Sequence, residues 1–266
     1  MRDTILVGGS HIEFGWNLQF IARARAESNH YQNVVVACEP QYEYLYRDFA
    51  TKFEFYDSPK GLRDRWLFNK KEPLPPKKIL EKYKGAKLFY PTEDRCKRDQ
   101  VEWFNYGIAP YHQFFNCVLV HARNITPVRY DKKVVGKSRN WPIQKWYDFV
   151  HSLDCRIISI GDIKNSKWIS GTKDIRGTSL EILCCTMNRS SVIVGESSGP
   201  LHLASLCGCP QVVITHNHKE KSLDGKTNRW RYEKGWNPFN TPCTVLDEDN
   251  WDPPVEKVVE AVRKYL

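Results

Sequence analysis

The sequence predicts an α/β protein made of two parallel α/β layers in succession. Three observations carry that prediction. Apolar runs of strand length, such as Asn33–Cys38 and Ser191–Gly195, recur without polar alternation, as strands covered on both faces do. Segments with helical spacing lie between them, so strand and helix alternate. The alternation stops in a basic, proline-broken stretch at residues 60–98 and starts afresh near residue 115.

In the first half, Thr4–Gly8 is a short apolar run ending in glycines, a strand feeding a loop. Asn17–Glu27 has helical spacing through Leu18, Ile21, Ala22 and Arg25. Asn33–Cys38 is the second strand, Tyr42–Tyr46 reads as helix and Phe53–Tyr56 as the third strand. A helix over Asp99–Tyr106 follows the basic stretch. The second half opens with strand Cys117–His121. Then come helix Ile143–Leu153 behind Pro142, strand Arg156–Gly161, helix Ser179–Asn188 and strand Ser191–Gly195. Helix Pro200–Cys207, strand Gln211–Thr215 and a closing helix over Pro254–Leu266 complete it. The layout is two Rossmann-like domains, 1–115 and 116–266, facing each other across a cleft, with ligands at the carboxyl ends of strands.

Composition sets the outer bounds. A chain of 266 residues with 41% hydrophobic and 13% aromatic side chains can bury a sizeable core, which excludes wholesale disorder. No apolar run approaches the roughly 20 residues that span a bilayer, and the N-terminus lacks the pattern of a signal peptide. The nine cysteines form no C-x-x-C pair and mostly sit in apolar runs. That argues for free thiols and a reducing, cytoplasmic compartment rather than a disulfide framework or structural zinc.

The net charge of +9 is concentrated. Lys60–Arg98 holds thirteen Lys/Arg against five acids, interleaved with Trp66, Phe68, Tyr83, Phe89 and Tyr90. Such a surface can neutralise phosphates and stack bases, so DNA or another polyanion is one reading. A solvated lysine-rich linker around Pro73-Leu74-Pro75-Pro76 is the other.

The most informative block is the seventeen residues Val194–Pro210, Val-Gly-Glu-Ser-Ser-Gly-Pro-Leu-His-Leu-Ala-Ser-Leu-Cys-Gly-Cys-Pro. A buried strand ends, a Ser-Ser-Gly turn follows, and a helix starts with proline at its first positions. Free backbone N–H groups and the helix dipole make that an anion site, and Gly199 permits close approach. From the residues alone an ordinary helix cap is an equal reading.

The block resembles the nucleotide-sugar signature of GT-B glycosyltransferases of the ADP-heptose heptosyltransferase type, which carry Asp-Ser-Gly-Pro-x-His-Leu-Ala here. Arg139-Asn140-Trp141-Pro142 resembles their Arg/Lys-x-Trp-Pro helix start. Ile160-Gly161 and the later Asp174-Ile175-Arg176-Gly177-Thr178-Ser179-Leu180 resemble their glycine loop and the lead into the next helix. The match covers residues 117–215 and implies a GT-B-like fold. It also implies a diphosphate against Ser197, Ser198, Gly199 and the helix from Pro200, with His202 facing the cleft. Glu196 stands where the family has Asp and is placed to bond a sugar or ribose hydroxyl. Ile175 and its neighbours line the base beside Gly161. Arg123 and Arg139 neutralise the departing nucleoside diphosphate, a task suited to the bidentate guanidinium.

The loop Gly8–Trp16 is not G-x-G-x-x-G, so a dinucleotide gains no support. It resembles the glycine-rich N-terminal loop of GT-B enzymes that holds a catalytic carboxylate. Glu13 is the expected base toward the acceptor hydroxyl, with His11 the alternative. No Asp-x-Asp motif is present, so the expected donor is a nucleotide sugar without a metal or other cofactor. The implied activity is glycosyl transfer to a hydroxyl. A small, basic protein of this kind is similar to viral enzymes that glycosylate hydroxymethylated pyrimidines in DNA, which would place it in a host cell's cytoplasm. A lipopolysaccharide-like or other glycan is the competing acceptor. A nonhydrolysing sugar-nucleotide epimerase and a non-catalytic nucleic-acid-binding module are the alternatives from other classes. The aromatic, basic segment Asn228–Asn240 is either a lip over the site or an irregular connection.

Overall fold

The computed structural model describes residues 3–8, 14–57, 74–90, 101–107, 115–124, 128–130, 133–135, 139–219 and 225–266. The chain divides into two compact units, Met1–Phe104 and Asn105–Leu266. Residues 105–107 therefore belong with the second unit, upstream of the junction expected near 115. The Tyr106 N–H donates to the Leu206 carbonyl at 2.9 Å, which anchors them there.

The first unit is a parallel four-stranded sheet in the order β3-β2-β1-β4, with β1 Thr4–Gly8, β2 Asn33–Cys38, β3 Lys52–Phe55 and β4 Lys87–Phe89. All five residues of β1 and the last five of β2 are buried, which explains their unbroken apolar runs. Helix α1, Phe14–Ser28, crosses from β1 to β2, and α2, Lys77–Lys82, leads into β4. The helix expected at Tyr42–Tyr46 is a 3-10 helix, Pro40–Tyr46. Residues 101–107, the described part of the helix expected at Asp99–Tyr106, are not helical. Tertiary hydrogen bonds take that backbone instead. The Glu102 N–H donates to Ala22 O at 2.9 Å, and Arg25 Nη1 donates to Glu102 O at 3.0 Å.

The second unit has a parallel sheet in the order β10-β8-β5-β11-β12-β13. Its strands are β5 Phe115–Arg123, β8 Arg156–Ser159, β10 Lys173–Asp174, β11 Ser190–Glu196, β12 Gln211–Ile214 and β13 Cys243–Leu246. The two-residue β9, Ser166–Lys167, pairs antiparallel with the end of β5. A hairpin, β6 Val128–Tyr130 with β7 Lys133–Val135, stands apart from this sheet.

Helices α3, Ile143–His151, and α6, Val255–Arg263, cover one face of the sheet. There Val118, Val120, Val192, Val194, Val212 and Ile214 pack with Trp146, Phe149, Val258 and Val262. The alternate residues Leu119, Ile193 and Val213 are fully buried on the other face. That face carries α4, Leu180–Asn188, and α5, Gly199–Leu206.

From β5 the chain builds outward through β8 to β10, then returns to the far side of β5 and builds through β11 and β12 to β13. The reversal between β5 and β11 is a topological switch point. At such a point the loops leaving neighbouring strands part in opposite directions and open a crevice for a ligand.

Candidate functional site

At this switch point β5 and β11 run in register, with His121 beside Gly195. One step further along β11 lies Glu196, fully buried. Its Oε2 accepts the backbone N–H of Arg123 at 2.9 Å and its Oε1 that of Trp141 at 2.6 Å. Burial pushes its carboxyl up to about 7, against the lowering effect of those N–H groups and of the Arg123 charge. Glu196 thus directs both oxygens at the backbone of this unit. The carboxylate that the sequence points toward a sugar hydroxyl binds the two loops together instead.

Ser197, Ser198 and Gly199 lead into α5. Ser198 is extended at the N-cap position and does not cap the helix with its hydroxyl. Its Oγ lies 3.1 Å from His121 Nδ1. The buried Tyr232 hydroxyl accepts the Ser198 N–H at 3.0 Å and donates to Ser197 Oγ at 3.0 Å. Burial raises Tyr232 to about 12 and lowers His121 to about 4, with the Arg123 charge adding to the second effect. Both are therefore neutral across the physiological range. Pro200 has no N–H, so Gly199 and Leu201 supply the remaining amide donors of the first turn. A neutral polar rim around those donors, at the positive end of the α5 dipole, suits an anion.

At the carboxyl end of β5, around the two residues that Glu196 bonds, is a cavity of about 180 Å³ lined by Ala122, Arg123, Asn124, Asn140, Trp141, Pro142, Ile143, Trp146 and Lys167. Arg123 donates to Asn140 Oδ1 at 3.3 Å. Trp141, Trp146 and Phe149 form an edge-to-face cluster beneath, with ring centroids 4.9–6.3 Å apart. Two cations and two amides over an aromatic floor can take a diphosphate or a sugar.

Gly161 follows β8 at φ +120°, a conformation essentially restricted to glycine. A Cβ there would lie 2.7 Å from Ser166 Oγ and 2.8 Å from His121 Cδ2. Its carbonyl accepts the Gly177 N–H at 2.8 Å, and the half-buried Ile175 donates its N–H to Ser159 O at 3.0 Å. Arg176 ties the same loop together by bonding Ser166 O and pairing with Asp174 at 2.9 Å.

The structure thus gathers Arg123, Gly161, Glu196, Ser197, Ser198 and Gly199 around one switch point. Arg139 is exposed, its guanidinium 5.5 Å from the Trp251 ring, and does not line the cavity. His202 needs correction. It is fully buried, its ring stacked on Trp236 at a centroid distance of 4.4 Å. Residues 201–206 of α5 are all buried, so this helix offers no wet face on which the imidazole could meet a ligand. Glu13 and His11 lie outside the described residues.

Sequence reasoning missed His121, Lys167 and Tyr232. His121 carried a signal, a titratable residue at the end of the apolar run Cys117–Val120. Tyr232 lay in the aromatic segment Asn228–Asn240, which now packs against α5 through Tyr232 and Trp236. Among the described residues no three His, Cys, Asp or Glu side chains are grouped to hold a metal. No helix there is long and apolar enough to cross a membrane.

No protein-family model matches the chain, and no curated protein sequence matches it. Solved structures do. The chain is similar to an E. coli ADP-heptose lipopolysaccharide heptosyltransferase II, with TM-score 0.57 and 12% identity over 100% of this chain and 98% of that one. An E. coli heptosyltransferase solved with ADP aligns over 100% of both chains at TM-score 0.56 and 10% identity. A glycosyl transferase family 9 protein from Veillonella parvula aligns at TM-score 0.55 and 12% identity, covering 98% of this chain and 96% of that one. At such identities the fold is what is shared, and the chain has the GT-B architecture, two Rossmann-like α/β units, of the heptosyltransferases.

Proposed function

We propose that the protein is a glycosyltransferase that moves a sugar from a nucleoside-diphosphate sugar to a hydroxyl acceptor. The observation that carries this reading is the N-terminal turn of α5 at the β5/β11 switch point, where Ser197, Ser198 and Gly199 follow Glu196, whose carboxylate holds the Arg123 and Trp141 amides of the cavity lining. The diphosphate lies against the Ser198 hydroxyl and the Gly199 amide, and Arg123 and Lys167 offset the charge that develops as the nucleoside diphosphate departs. Arg139 adds positive charge from the start of the α3 segment, and Ile175 lines the base. Glu13 deprotonates the acceptor hydroxyl, with His11 as the alternative. An adenosine diphosphate sugar is the first donor to try, because E. coli heptosyltransferases of this fold were solved with ADP and with ADP-2-deoxy-2-fluoro heptose.

A lipopolysaccharide-like glycan is the acceptor that the heptosyltransferase neighbours favour. DNA is the second reading, on one observation. Lys77, Lys78, Lys82, Lys84 and Lys87, the described part of the basic stretch, are all exposed on α2, β4 and the turn between them. Two of them are already paired, Lys77 with Glu81 and Lys82 with Glu54, which reduces the field they present.

Thermal shift against ADP-, UDP-, GDP- and CMP-sugars tests the donor. Stabilisation by one of them is expected, and a flat response to all would sink the proposal. Filter binding of hydroxymethylated duplex DNA tests the second acceptor. Absence of salt-sensitive affinity there would leave the glycan reading alone.

A further inference from the structure

We infer that Glu196 is a positioning residue that holds the two loops lining the cavity in the register its donor requires. The inference rests on the donor reading above and names what shapes that site.

The geometry is specific. Arg123 ends β5 and Trp141 precedes α3, so the two are joined through the hairpin β6–β7 and its flanking loops. No described ladder hydrogen bond pairs Arg123 with Trp141. What joins them is one carboxylate, with Oε2 on the Arg123 N–H at 2.9 Å and Oε1 on the Trp141 N–H at 2.6 Å. Each residue then sends its side chain into the cavity lining. The Arg123 to Asn140 hydrogen bond at 3.3 Å is a second and longer brace across the same gap.

A glutamate has the reach for this bridge and the acceptor capacity for both donors. Glutamine at the same place has one acceptor oxygen, so its amide nitrogen would meet one N–H donor to donor. Aspartate keeps the charge but is one methylene shorter. A burial this complete is costly for a carboxylate unless it is hydrogen-bonded, and the two amides provide that satisfaction. The charge acting on the group is that of Arg123, which favours the ionised clamp. A protonated carboxyl converts one of its oxygens into a donor and releases one loop.

Calorimetric titration of the full chain with ADP-glucose and UDP-glucose is the test, because their diphosphates carry no titrating proton near neutrality. Wild type, Glu196→Gln and Glu196→Asp are compared, together with melting temperature and hydrogen exchange at the Arg123 and Trp141 amides. The expected result is a roughly tenfold weaker Kd for Glu196→Gln, equivalent to the loss of one hydrogen bond. Its fold should be retained and its exchange at both amides faster. Equal affinity in wild type and Glu196→Gln would overturn the inference while leaving the donor reading intact. Failure of wild type to bind either sugar nucleotide, or any other in the panel, would overturn both. If Glu196→Gln does not fold, Glu196→Asp decides: its shorter side chain cannot span both amides, so its Kd should weaken by a similar factor, and a Kd equal to that of wild type overturns the inference.

Discussion

Replacing Gly161 by alanine probes the support beneath the anion site. At φ +120° an alanine backbone costs about 1–3 kcal/mol on conformation alone. The added Cβ would also fall 2.7 Å from Ser166 Oγ, 2.8 Å from His121 Cδ2 and 2.9 Å from Ser166 Cβ. No carbon sits that close, so Ser166, His121 or the loop must move. Ser166 is held by its own hydroxyl on Asp162 O at 2.6 Å, and His121 by Ser198. Neither has an easy escape, and overpacking of this kind costs about 1–3 kcal/mol more.

The two costs together come to about 4 kcal/mol at the middle of each range. For a unit of this size that corresponds to a fall of about 8–16 °C in Tm. Gly208→Ala is the control, because Gly208 has φ +69° in the same unit with nothing within 4 Å of its would-be Cβ. It should show the backbone cost without the steric one. Differential scanning calorimetry on both variants, with thermal shift by nucleotide sugars, is the assay. A Gly161→Ala loss no greater than that of Gly208→Ala, with nucleotide response intact, would refute the coupling of this glycine to His121 and Ser198.

Tyr232→Phe leaves the half-buried Ser198 N–H and the buried Ser197 hydroxyl without their partner, and should cost about 1–3 kcal/mol in urea unfolding with weaker sugar-nucleotide binding. Glu196 carries a folded-state value near 7 against an ordinary 4.5, so its stability contribution is full below about 4.5 and is lost as pH rises through 7. Glu196→Gln should therefore gain on wild type between pH 5 and pH 8, by roughly 3 kcal/mol at most. Urea melts at the two pH values measure that gap, and a constant gap contradicts the burial argument. His121 has the opposite sign. Its depressed value, about 4, means stability present above 6.5 and lost as pH falls through 4, which NMR titration of its ring protons reads directly. Arg123→Gln should weaken sugar-nucleotide affinity about tenfold or more by removing one of two cavity cations, with Tm nearly unchanged.

The elements legible in the sequence are those whose burial leaves a local trace. Asn33–Cys38 and Ser190–Glu196 are covered on both faces, so their apolar runs survive as text. α5 announces itself through Ser198 and Pro200. Strand β4 is hidden because Lys87 opens it inside a basic stretch, and its pairing with β1 is invisible locally. β10 is two residues long and charged, so only its ladder with β8 makes it a strand. In the site, Ser197, Ser198 and Gly199 are contiguous and readable as a unit. Tyr232 reaches Ser197 across 35 residues, and the role of Glu196 depends on partners 55 and 73 residues away. His202 misleads because a histidine in a first helical turn reads as accessible, whereas only the packing of Trp236 reveals it as core.

The Trp141 indole donates to Pro253 O at 3.0 Å, and Lys145 grips Asp252 and Pro253 at 2.7–3.3 Å. This wall of the cavity is therefore buttressed by a segment synthesised more than a hundred residues later. The sheet of the first unit needs nothing beyond Phe89. On a translating ribosome the first unit can fold while the second is still being made. The cavity cannot acquire its final shape until residue 253 has emerged, so a nascent chain halted before that point would carry a folded first sheet and an unfinished site.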